Sequence, residues 1–88
     1  MTPLQTPKNA IIKIVDTANG KTCFHKVLSC SEAQSVDVFE KFISHFKASE
    51  IASNNRFHIH RYWQHYLRAT VYLNQLNEKD ISSFFKDY

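Results

Sequence analysis

Residues 56–76 read RFHIHRYWQHYLRATVYLNQL, and the period of this stretch decides the fold. Its first half, Arg56 to Trp63, alternates loosely and is aromatic, as a strand would be. No Gly, Pro, Asn or Asp interrupts the run before Asn74, however, and a strand of that length is rare. The polar positions favour the other period. His60, Arg61, Gln64, His65 and Arg68 recur at i, i+1, i+4, i+5 and i+8, while Ile59, Tyr62, Trp63, Tyr66, Leu67, Thr70 and Leu73 fill the complementary face. The spacing predicts an amphipathic helix over about 55–75, started by Asn54 or Asn55, with a strand pair as the competing reading.

Upstream, the β-branched run Ala10–Asp16 and the run Thr22–Leu28 flank Asn19-Gly20, the strongest short-range cue for a hairpin. A two-residue turn there places Val15 opposite Phe24, Ile11 opposite Leu28 and Lys13 opposite Lys26. Both faces of such a hairpin are partly apolar, so the sequence leaves open which one meets the core. Next, Ser29 with Glu32, or Ser31 with Gln34, fits a capping box. Val36, Phe39, Phe42, Ile43 and Phe46 then form one helical stripe, giving a helix over about 30–49 that ends near Ser49, before the break at 53–55. Downstream, Asn77 caps a short helix over about 78–87, with Ile81, Phe84, Phe85 and Tyr88 on one side. The fold class expected is α+β: an N-terminal β-hairpin followed by three helices, with residues 1–9 as an irregular lead-in broken by Pro3 and Pro7.

An 88-residue chain supports one small domain and one core. No apolar run approaches the span of a bilayer, and the first nine residues lack the apolar segment of a signal peptide, so a cytoplasmic protein is expected. The single glycine excludes a phosphate-cradling glycine loop. Five His and two Cys invite a metal, yet no pair stands at short ligand spacing. Cys23 and Cys30 read as reduced thiols, and no metal or other cofactor is expected. No nucleophile elbow or paired carboxylates point to catalysis.

The net charge of +3 matters only through its placement. On a helix over 55–75, His58, Arg61, His65, Arg68 and Tyr72 fall at i, i+3, i+7, i+10 and i+14, flanked by Gln64, and no acidic residue lies between Glu50 and Glu78. These six are the candidate partner-binding residues, because arginine suits bidentate contacts with phosphate or carboxylate. The competing reading is the solvated face every amphipathic helix carries.

Tyr66-Leu67-Arg68, Leu76 to Ile81 and Phe84 resemble the helical DNA-core-binding segment of tyrosine recombinases. The order of hairpin and helix over 10–48 is similar to the arm-binding module in front of it. The resemblance implies nucleic-acid binding without strand exchange, since nothing here matches a catalytic domain. On size and the absence of a chemical motif, the expectation is a non-catalytic module that blocks or adapts a larger macromolecular partner. A protein is expected ahead of a nucleic acid, in the manner of small anti-defence inhibitors of the anti-CRISPR type from phages or mobile elements. A DNA- or RNA-binding module using the basic helix face is the alternative, and a small enzyme the third reading.

Overall fold

The computed structural model describes residues 9–48 and 55–88. Most of the expected lead-in, the end of the first helix at Ser49 and residues 53 and 54 of the break lie outside them. The element order is β1 (Asn9–Asp16), β2 (Lys21–Ser29), α1 (Glu32–Phe46), β3 (Phe57–Trp63), β4 (Tyr66–Leu73) and α2 (Glu78–Phe84). The class is α+β, with an antiparallel four-stranded sheet ordered β2-β1-β3-β4 and, among the described residues, two helices rather than three.

The helix expected over 55–75 is instead a second hairpin. Phe57, Ile59, Arg61 and Trp63 are buried and alternate with half-buried His58, His60 and Tyr62, which is the two-residue period of a strand. What hid the hairpin is its turn. Gln64 and His65 both have positive φ, 50° and 77°, the geometry of a two-residue hairpin turn normally built from Asn and Gly. The Gln64 amide donates to the Asn9 carbonyl at 3.2 Å, which ties the turn to the start of β1.

The first hairpin pairs as antiparallel strands, but its register differs from the expected one, by two residues next to the loop and by one beyond an irregularity between Ile14 and Val15. Asp16 pairs with Lys21, and the loop is the four residues Thr17–Gly20, in which only Gly20 has positive φ, at 71°. The Asp16 carbonyl accepts from the Asn19 and Gly20 amides, its carboxylate accepts from the Ala18 amide, and the Asn19 side chain accepts from the Lys21 amide. These local bonds favour the wider loop. The register then shifts between Ile14 and Val15, so Lys13 faces His25 and Ile12 faces Lys26. One slip changes which side chains share a face. It also settles the core face of β1, which carries Ala10, Ile12, Ile14 and Asp16.

The helices begin at caps legible in the sequence. Ser31 and Gln34 form the capping box of α1, and Asn77 accepts from the Lys79 amide at the start of α2. Helix α1 buries Ser35, Val38, Phe39 and Phe42, a face rotated from the expected stripe, with Ile43 and Phe46 half-buried. Phe42 lies at the centre, its ring 4.7 Å from Phe46 and 5.7 Å from both Phe84 and Phe85. Phe85 stacks on Phe24 of β2 at 5.3 Å. Both helices thus cover one face of the sheet and, among the described residues, leave the other without a helix.

Candidate binding face

The helix-free face is a regular array, because the three strand pairings align its side chains in rows. Val27, Ile11, Tyr62 and Leu67 make one row; His25, Lys13, His60 and Thr70 the next; Thr22, Val15, His58 and Tyr72 the third. Neighbours within a row are cross-strand partners, and rows follow one another every second residue. The ring centres of His58 and Tyr72 are 4.8 Å apart, those of His58 and His60 6.2 Å, and those of His60 and Tyr62 6.0 Å. The His60 ring nitrogen Nδ1 and the Thr70 hydroxyl lie 3.0 Å apart across the β3–β4 pair. Burial holds the His60 imidazole below its ordinary pKa of 6.5, and the neighbouring His58 and Lys13 push it the same way. The neutral form of His60 is therefore favoured, with the Lys13 side chain beside it in the same row.

The described acidic residues keep off this face of the sheet. Of the eight acidic residues, Glu50 lies outside the described residues, and none of the others occupies the array. Glu32, Asp37 and Glu40 ride on α1, Glu78 and Asp80 on α2, and Asp87 follows it. Asp16 is on the core side at the end of β1, where Arg56 grips both its oxygens at 2.8 Å and holds its pKa below the ordinary value.

The six residues expected to form one basic stripe are dispersed, since a helical line does not survive on strands. His58 and Tyr72 meet on the helix-free face. Gln64 and His65 form the turn at the end of the β3–β4 hairpin. Arg68 lies at the irregularity opposite Arg61 and Tyr62 and pairs with Glu32 at 3.2 Å, towards α1. Arg61 is buried between sheet and helix, 7% exposed, and its Nη1 donates to the Ser35 hydroxyl at 2.9 Å. Arg61 is thus no surface residue. The resemblance to a helical core-binding segment fails at the same place, because Tyr66 to Arg68 begin a strand. The sequence reading missed Lys13, His25, His60 and Tyr62 as members of the site. For His60 and Tyr62 the signal available was the period-two run His58, His60, Tyr62.

Among the described residues, no three His, Cys, Asp or Glu side chains gather as a metal would need. Burial raises the thiol pKa of both Cys23 and Cys30, which opposes thiolate formation. Among the described residues, no helix is long and apolar enough to cross a membrane. Comparison with family models, curated proteins and solved structures finds no match for this chain.

Proposed function

We propose that the chain is a non-catalytic binding module whose working surface is the helix-free face of the sheet and whose partner is a nucleic acid. The observation that carries this reading is the segregation of charge. Lys13, His25, His58 and His60 share a face with Tyr62 and Tyr72, while every described carboxylate lies elsewhere. A surface that sets a lysine and imidazoles among half-buried aromatic rings and excludes acids suits a polyanion that also presents aromatic bases. A patch built for a protein partner is depleted of charge at its centre, and here Lys13 stands at the centre.

The test is a gel-shift series at low salt with labelled single-stranded and duplex oligonucleotides. Lys13→Glu should abolish the shift. Lys41→Glu, an equal charge change on the exposed side of α1, should leave it in place. Retention of the shift in Lys13→Glu would remove the face from the reading. Absence of any shift in the parent chain would return the face to a protein partner, for which the exposed Val27 and Leu67 at its edge are the natural contacts.

A further inference from the structure

The array fixes more than the sign of its ligand's charge. We infer that the face takes a single strand of DNA or RNA, laid along β3 with its bases on the rings of His58, His60, Tyr62 and Tyr72, and that it discriminates against duplex. This inference rests on the nucleic-acid reading above.

Two magnitudes point to the single strand. The first is charge. A duplex is held mainly through its phosphates, and a tight duplex site makes on the order of 6–10 phosphate contacts. Among the described residues of the array, Lys13 is the one lysine or arginine. His60 adds little to it, because its surroundings favour the neutral ring. Arg56 and Arg68 cannot make up the deficit, since Asp16 and Glu32 hold them. The second is stacking. Each base placed on an aromatic ring raises affinity by between about fivefold and a hundredfold, whatever the base. With three or four rings against one permanent cation, stacking is the larger resource of this face.

Spacing agrees. Along β3 the rings of His58, His60 and Tyr62 follow at 6.2 and 6.0 Å with their planes turned 88° and 55° to one another, and Tyr72 lies beside His58 at 4.8 Å and 74°, so no continuous base stack can run over them and each ring would meet a base singly. Bases in a duplex are about 3.4 Å apart and present their faces only to one another. Rings about 6 Å apart match a strand whose bases have been separated, and that is the form in which a base offers its face to a side chain. Lys13 and Thr70 flank His60 in its row, where they can meet the backbone between successive bases. Both groups serve DNA and RNA alike, so the test includes both.

Fluorescence anisotropy with end-labelled oligo-dT and oligo-U of about twelve nucleotides, and with a mixed-sequence duplex of the same length, tests this directly. The single strands should bind at least tenfold more tightly than the duplex. The slope of log affinity against log salt should be shallow, about one to two. Tyr72→Ala and Tyr62→Ala should each weaken single-strand binding by roughly tenfold, whereas Tyr72→Phe and Tyr62→Phe should retain it. The Phe variants separate loss of a stacking face from loss of fold. A duplex bound as tightly as the single strands, with a steep salt slope, would overturn the strand assignment and leave the nucleic-acid reading standing. Binding of neither would overturn both.

Discussion

Arg61 shows how far a side chain's role depends on the period assigned to its neighbours. Read on a helix it is a surface cation; on β3 it points into the layer between sheet and α1. Burial pushes its pKa down while Glu32 pulls it up, and among the described residues no carboxylate lies within salt-bridge distance of it. Its hydrogen-bond partner, the Ser35 hydroxyl, already donates to the Glu32 carbonyl at 2.7 Å and does not need the guanidinium. The stem of Arg61 therefore stabilises by packing, while its charge costs desolvation. Arg61→Met, which keeps the stem and removes the charge, should leave the melting temperature unchanged or raise it. Arg61→Ala should destabilise by about 1–3 kcal/mol through lost packing. A loss in Met equal to that in Ala, measured by thermal melting, would show that the guanidinium itself is needed. His58 and Tyr72 share a face because the irregularity between Arg61 and Tyr62 moves the register by one; Arg61 and Arg68 part from them.

The elements divide the same way, by whether a local rule is obeyed or broken. Ser31 with Gln34 and Asn77 follow capping chemistry, and the two helices start where those residues stand. Asn19-Gly20 marked a hairpin correctly, but the Asp16 carboxylate and carbonyl drew the loop out to four residues, and the irregularity between Ile14 and Val15 leaves the rest of the ladder one residue from the expected register. The β3–β4 turn breaks the rule outright, since Gln64 and His65 occupy a backbone region that long side chains rarely adopt. The strand pairing on either side imposes that conformation, and no local residue signals it. Relief of the strain should be measurable. Replacing Gln64-His65 by Asn-Gly should raise stability by about 1–2 kcal/mol, because both residues tolerate positive φ. Chemical denaturation reads the change, with the slope against denaturant unchanged. A loss of stability would mean that the Gln64 or His65 side chain makes a contact worth more than the strain.

For the molecule as a whole, the placement of the acids couples folding and binding to pH with opposite signs. The acids and their partners lie on the helix side or at the strand end, so the helix-free face is left with titratable imidazoles beside a fixed lysine. In the folded protein, burial, His58 and Lys13 all oppose a proton on His60. In the unfolded chain nothing opposes it, so between its ordinary value of 6.5 and its lower folded value the unfolded state binds more protons. Stability is therefore full above about pH 6.5 and falls as the solution is acidified through that window. A bound polyanion reverses the local field, because phosphate oxygens favour charged imidazoles where Lys13 opposes them. Affinity for an oligonucleotide should then rise over the same pH range in which the free protein loses stability. Melting curves between about pH 5 and 8, with and without oligo-dT, read both effects together. The free protein should melt lower as pH falls, and the oligonucleotide should stabilise it more at the acid end. His60→Gln, uncharged throughout, should flatten the first dependence and weaken the second. Parallel curves with and without the oligonucleotide would show that the imidazoles do not face the ligand, and would move the working surface away from this side of the sheet.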